Sequence, residues 1–279
     1  MNKINKCLFP VAGYGTRFLP ATKTIPKEML PILTKPLIQY GVEEAMSADI
    51  TTMAMVTSKY KQAIKNYFEP HEDIETSIKG TAKASLLDEV NHASEKCDFT
   101  YIEQQQMLGL GHAIFTGKPL IGNKSFAVIL PDDLCTNNGD SVLTQMTKLY
   151  TQYPDCCIVA IEEVPLTEVD KYGVIDGELL KGSDSAYRVN SMVEKPSPAE
   201  APTNLAIIGR YILTPEIFDV LENTSPDKNG EIQITDALMT LAEQGKVIAY
   251  KFQGERYDCG SVKGFVIATN YFAKQQNII

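Results

Sequence analysis

Apolar residues fall into two rhythms along this chain. Short runs rich in Val, Ile, Phe and Tyr occur at 6–11, 52–57, 99–104, 126–130 and 156–162, and predict strands with mostly buried side chains. Between them, positions 37–48, 60–68, 74–95 and 141–153 place apolar residues at helical spacing. Strand and helix patterns in alternation predict a doubly wound, mostly parallel α/β sheet. From about residue 166 the rhythm changes: longer strands at 172–177, 187–193 and 204–213, joined by turns, predict a small antiparallel annex. Helical spacing resumes at 215–223 and 235–244, where Thr235 or Asp236 is placed to cap, and a last helix starts near Ser261. No repeat, low-complexity tract or linker interrupts the chain. Residues 1–279 therefore read as one domain with a first half to about 165 and a second half from about 166.

Composition narrows the function classes. A net charge of −9 argues against a general nucleic-acid surface. Six cysteines contain no Cys-x-x-Cys pair, and three histidines (His71, His92, His112) lack zinc-like spacing. The cysteines read as reduced, mostly buried thiols of a cytoplasmic protein. Lys3 and Lys6 precede an apolar stretch that is short and broken by Pro10, so a strand is expected there, not a signal peptide. No run approaches membrane-spanning length.

Against this acidic background, positions 8–31 stand out. The first strand ends at Gly13 and Gly15, which can turn sharply and present backbone N–H groups to an anion. Arg17, Lys23 and Lys27 follow, and prolines at 20, 26, 31 and 36 favour an extended wrapping loop over one long helix. A strand, a glycine turn and a cationic loop suit a polyphosphate, and the loop leaves the carboxyl end of its strand, where ligands of doubly wound sheets bind. The segment is neither a Walker A loop nor a dinucleotide fingerprint: no Gly-Lys-Ser/Thr follows at the right spacing, and Phe18 stands where the third glycine would be.

Three further segments carry candidate chemistry. From Gln104 to Ala113 a strand end passes through Gly109 and Gly111 toward a helix, either an ordinary strand–helix turn or a place where a base or anion meets the backbone. His112 within it reads as a packed or capping histidine. Asp132 and Asp133 end the apolar run Phe-Ala-Val-Ile-Leu-Pro, a position suited to a hard cation or to a turn. Asp258 precedes Cys259 and Gly260, where a turn or helix cap would serve as well. Glu194-Lys195-Pro196 closes a predicted strand as a charged exit.

Taken together these segments resemble the sugar-nucleotide pyrophosphorylases. The match runs through Gly-x-Gly-Thr-Arg at 13–17, Pro-Lys-Glu-Met-Leu-Pro at 26–31, Gln-x-x-x-x-Gly-Leu-Gly-His-Ala at 104–113, and the Glu-Lys-Pro element, so it spans nearly the whole chain. It is closest to the bacterial-type uridylyltransferases of that family. The resemblance implies a Rossmann-like nucleotide-diphospho-sugar transferase fold and transfer of a uridylyl group from UTP to glucose 1-phosphate, giving UDP-glucose and pyrophosphate with Mg2+. By the same resemblance Gln104 and Gly109 read the uracil edge with Glu28 and the backbone of Ala12 and Gly13. Gly15 and Asp133 join the nucleotide site. Asp132 and Asp258 hold the metal. Glu194 grips sugar hydroxyls, Lys195 reaches the sugar phosphate, Gly173 forms a sugar wall, and the strand at 204–211, beginning with Asn204, completes the pocket.

Arg17 and Lys27 are then assigned to the β- and γ-phosphates, and no general base is needed because the attacking phosphate is already ionised. The family tends to form homodimers or homotetramers, and the 74–95 stretch resembles a family insertion at a substrate mouth or subunit contact. The nearest rivals are thymidylyl- and cytidylyltransferases. Ala12-Gly13-Tyr14 in place of a double glycine and Leu-Pro-Asp-Asp at the metal stand against the thymidylyl branch. A silent regulatory homologue would have lost Arg17, Lys27, Asp132, Lys195 or Asp258, and all are present.

Overall fold

A computed structural model describes residues 3–279. Its strands are β1 (Lys6–Pro10), β2 (Pro31–Ile32), β3 (Lys35–Pro36), β4 (Thr52–Thr57), β5 (Asp98–Glu103), β6 (Phe126–Ile129) and β7 (Asp133–Thr136). They continue with β8 (Cys157–Glu163), β9 (Gly173–Leu179), β10 (Ala186–Glu194), β11 (Leu205–Leu213), β12 (Val247–Lys251) and β13 (Glu255–Asp258). The helices are α1 (Leu37–Ser47), α2 (Gln62–Phe68), α3 (Glu72–Ile78), α4 (Asp88–Lys96), α5 (Gly109–Thr116) and α6 (Lys118–Ile121). The remaining four are α7 (Val142–Tyr150), α8 (Glu216–Asn223), α9 (Ile234–Ala242) and α10 (Val262–Gln275).

Nine strands form one sheet in the order β5-β4-β1-β6-β11-β8-β12-β10-β9. Alternation within each strand buries both faces. Cys7 and Phe9 of β1, Met53 and Met55 of β4, and Ala127 and Ile129 of β6 pack against α1 and α7 on one side. Leu8, Ala54, Val56 and Val128 pack against α5, α8 and α9 on the other. This confirms helices on both faces of an α/β sheet.

The expectation of a mostly parallel sheet with a separate annex is corrected. β1 runs parallel to β4 and β6, β4 to β5, and β8 to β12, but β11 lies antiparallel between β6 and β8, and β10 lies antiparallel between β12 and β9. The sheet is mixed, and the annex strands extend it. β11 also pairs with β9, Ala206 opposite Val174, which curls the far edge back toward the middle. The helix expected over 74–95 is also corrected: α3 ends before Gly80, whose φ of +77° breaks the helix, and α4 begins only at Asp88. The short strands β7, β12 and β13 escaped the apolar pattern.

Two devices position the site. The β11–β8 register shifts between Ile207 and Tyr211, and this bulge brings Gly209 against the turn after β6, its N–H donating to Asp133 Oδ2 at 2.8 Å. A Cβ on Gly209 would lie 2.6 Å from Leu130 Cβ, so only glycine allows that approach. Beside it, buried Arg210 forks onto Glu44 (Nη2 to Oε2, 2.8 Å) and donates to the carbonyls of Leu130 and Asp133. Removing either ion of such a pair costs about 3–5 kcal/mol, because the other is left buried and alone. The turn carrying Asp132 is therefore clamped from beneath. Among the described residues no helix is long and apolar enough to cross a membrane, and the six cysteines are free thiols.

Candidate active site

Two clefts meet along the strand ends, one of about 500 Å3 and one of about 600 Å3, and Arg17, Leu130, Asp132 and Glu231 border both. The first is floored by the loop after β1. Gly15 there takes a φ of +67°, and a Cβ would come within 3.0 Å of Lys27 Cβ, so glycine lets the turn close onto the lysine. A Cβ on Gly13 would meet nothing within 4 Å, so its backbone stands open to the cleft beside Ala12. Exposed Arg17 follows in a short 3-10 turn and donates a long hydrogen bond to Gly260 O (3.4 Å). The edge-on packing of Phe18 against Phe265 of α10 holds this turn to the C-terminal helix.

Lys27 Nζ lies 2.6 Å from Asp132 Oδ2. Burial opposes the charge on both, yet each is kept ionised by the other: the lysine is raised by Asp132 and Glu28, and the aspartate is lowered by Lys27. Asp258 arrives from β13, which pairs with β7 so that Asp258 stands opposite Asp133. The Cβ position of Gly260 is 2.9 Å from Asp132 Oδ2 and 3.0 Å from Asp258 Oδ1, so the two carboxylates expected at the metal, 126 positions apart, converge on one point. Burial and the negative charges of Asp133 and Asp132 raise the Asp258 carboxyl, with Arg256 opposing, which is the electrostatic mark of a site short of positive charge. No three His, Cys, Asp or Glu side chains gather for a metal among the described residues. Two hard carboxylates beside the cations Arg17 and Lys27 fit Mg2+, which usually takes one or two carboxylates and fills its octahedron with phosphate oxygens and water.

Asp133 is placed differently from the nucleotide contact that the family resemblance implies. Its Oδ1 accepts from Arg256 Nη1 at 2.6 Å and its Oδ2 from Gly209 N, and it borders the second cleft only. Glu28 likewise borders neither cleft. It is fully buried, and Lys61 Nζ donates to its two oxygens at 2.9 and 2.7 Å, so it sits behind Lys27 and away from the surface of both clefts.

At the far end of the first cleft, Gln104 is 4 % exposed, and its Nε2 donates to His112 Nδ1 (2.8 Å) and weakly to Gly109 O (3.4 Å). His112 is therefore neither a bare packing residue nor a cap: it orients the amide. Burial lowers its pKa and favours the neutral ring that this bond requires. Gly109, at φ +89°, packs so closely on the 231–232 backbone that a Cβ would sit 2.9 Å from Glu231 Cβ. Gly111 N donates to Ile232 O, and Ile232 N to Leu108 O, which ties the loop to the chain leading into α9.

The second cleft holds Gly173, Glu194 and Lys195. Lys195 has a φ of 47°, donates its N–H to Tyr172 O, and sets Nζ 3.1 Å from Glu194 Oε1. Asn204 does not line this cleft; its Nδ2 donates to Val164 O and joins the start of β11 to the end of β8. Sequence reading missed Arg256 and misplaced Thr235. Arg256 donates to Asp133, Glu162 and Tyr172 Oη beneath the cleft, with its guanidinium 4.9 Å from the Tyr172 ring centre. Thr235 caps nothing: Gln233 occupies the N-cap of α9, and the Thr235 hydroxyl donates to Glu194 Oε2 at 2.6 Å. No motif in the sequence marks Arg256.

The sequence model for the family described as Nucleotidyl transferase matches residues 10–275. The chain belongs to this family. Within it, the chain is 58% identical to the UTP–glucose-1-phosphate uridylyltransferase of Pseudomonas aeruginosa, over 96% of this chain and 95% of that protein. It is 45% identical to the enzyme of the same name from Staphylococcus epidermidis, over 98% of this chain and 93% of that one. A crystal structure of UDP-glucose pyrophosphorylase complexed with UDP-glucose superposes with a TM-score of 0.90 at 57% identity, covering 98% of this chain and 99% of the other. A putative glucose-1-phosphate thymidylyltransferase from Bacillus anthracis matches with a TM-score of 0.73 at 20% identity, a likeness of fold.

Proposed function

We propose that this chain transfers the uridylyl group of UTP to glucose 1-phosphate, forming UDP-glucose and releasing pyrophosphate. The observation that carries the reading is the junction of the two clefts at Arg17 and Asp132, where a triphosphate in one would meet a sugar phosphate in the other. The names borne by the close relatives supply the identity of base and sugar.

In this reading the backbone of Ala12 and Gly13 and the side chain of Gln104 face uracil. With Gln104 Nε2 taken by His112, its Oε1 remains to accept the uracil N–H. Arg17 and Lys27 neutralise the β- and γ-phosphates, whose charge grows as pyrophosphate leaves. Lys195 holds the phosphate of glucose 1-phosphate, and Glu194 accepts from neighbouring sugar hydroxyls. An oxygen of that phosphate attacks the α-phosphorus of UTP, the bond to the bridging oxygen of pyrophosphate breaks, and no proton moves. Residues 12–27 and 194–195 thus work by holding two anions in line. Asp132 and Asp258 would hold a Mg2+, which supplies charge neutralisation on the phosphate oxygens when bound. A homodimer or homotetramer and a cytoplasmic location follow from the resemblance to the family.

The test separates the two substrates. Glu194→Gln should raise the KM for glucose 1-phosphate and leave the Kd for UTP unchanged, because its contacts are made largely in the ground state. A variant that loses UTP binding and keeps its sugar affinity would reverse the placement of the substrates.

A further inference from the structure

The second cleft contains a contact outside the reacting groups. Glu194 projects from the end of β10 with its side chain 22% exposed, enough to reach a ligand and enough to swing. Both oxygens are nevertheless held. Lys195 Nζ is 3.1 Å from Oε1, and the Thr235 hydroxyl donates to Oε2 at 2.6 Å. Thr235 itself is 4% exposed, so water has little access to replace its hydroxyl. The chain also leaves room for this bond. A Cβ at Gly173 would lie 2.9 Å from Thr235 Oγ1 and 3.3 Å from Glu194 Oε2. Any side chain at 173 would push into the hydroxyl and the carboxylate it holds.

We propose that Thr235 is a specificity-positioning residue, whose hydroxyl fixes the Glu194 carboxylate in the one orientation that reads the hydroxyl pattern of the sugar 1-phosphate. The inference rests on the reading above, in which Glu194 grips the sugar. Each carboxylate oxygen accepts one bond from the protein and keeps lone pairs for the cleft. Held in one rotamer, it accepts from adjacent hydroxyls of one epimer and meets another epimer with a lone pair unfilled or a hydroxyl misplaced. Released from Thr235, it can turn to follow either. Loss of the hydroxyl should therefore weaken sugar binding and, more tellingly, blur the choice between epimers.

The experiment compares Thr235→Val and Thr235→Ala, which lack the hydroxyl, with Thr235→Ser, which keeps it, each checked for folding by thermal denaturation. Glu194→Gln is run in parallel. Steady-state KM and kcat are measured with glucose, galactose and mannose 1-phosphates, and the Kd for UTP by calorimetry. Both hydroxyl-free variants should raise the KM for glucose 1-phosphate by about tenfold, as for one lost bond to a charged group. They should lower the preference for glucose over at least one epimer while leaving the UTP Kd unchanged, and Thr235→Ser should restore wild-type values. The alanine variant carries the test if the valine variant does not fold. Unchanged sugar KM and preference in the hydroxyl-free variants would overturn the inference, and so would a serine variant as impaired as alanine, since packing would then be the cause. If Glu194→Gln keeps wild-type sugar KM, the placement of the sugar fails first and the inference with it, a pattern distinct from failure at Thr235 alone.

Discussion

Lys27 Nζ donates to Asp132 Oδ2 at 2.6 Å, so the cation assigned to the triphosphate and the carboxylate assigned to the metal are partners in the free chain. Both are partly buried, and each offsets the cost of burying the other's charge. With the roles proposed above, nucleotide and metal would divide this pair between them, the lysine turning to phosphate as the carboxylate is freed.

That arrangement sets the expectation for Lys27→Ala. Turnover should fall on the order of 10²–10³-fold, as for removal of one charge-stabilising donor. Without nucleotide, however, Mn2+ should bind the variant more tightly than wild type, because the competing ammonium is gone. Electron paramagnetic resonance of free Mn2+ reads this directly. Weaker Mn2+ binding in the variant would mean that Lys27 does not compete for Asp132.

The convergence of Asp132 and Asp258 beside Gly260 gives a second expectation. Asp132→Asn and Asp258→Asn should each fold, lose most activity, and need more Mg2+ to recover any of it. If the two carboxylates hold one ion, as proposed, the double variant should be little worse than either single one. Mn2+ should partly replace Mg2+. Initial rates across a Mg2+ titration decide the matter. A fully active Asp258→Asn enzyme with unchanged metal dependence would reduce Asp258 to a turn residue.

Base recognition should depend on pH through His112. Burial holds its pKa below the ordinary value near 6.5, and only the neutral ring accepts from Gln104 Nε2. The bond is thus intact above about pH 6.5 and lost as pH falls through the folded pKa. The ratio of UTP to CTP affinity, in which protonation of the triphosphate cancels, should fall over that window. Gln104→Ala should lower the ratio above that window, by the equivalent of roughly 1–3 kcal/mol, and flatten its pH dependence, so that the two chains converge as pH falls. A pH-independent ratio in the wild-type chain would remove His112 from base reading.

Much of this was legible in the chain because local chemistry announced it. The apolar run of β4 matched its strand to the residue, Gly13 and Gly15 marked a turn that meets a cleft, and Glu194 with Lys195 marked a charged strand end. What stayed hidden depends on distant partners. β11 reads like any buried strand, and nothing local tells that it runs antiparallel between β6 and β8. Glu28 sits beside Lys27 in sequence, yet the neighbour faces the cleft while Glu28 is buried on Lys61, 33 positions away. Asp133 looks equivalent to Asp132 until Arg256 and Gly209 claim its oxygens. Thr235 reads as a capping residue because its partner, Glu194, lies 41 positions earlier.

Pyrophosphate release from a matrix of nucleoside triphosphates against sugar 1-phosphates, with Mg2+, reads the choice of both substrates at once. Turnover should concentrate on UTP with glucose 1-phosphate, with CTP, ATP and dTTP far slower. Equal turnover with dTTP or CTP, or no pyrophosphate release from UTP and glucose 1-phosphate, would contradict it.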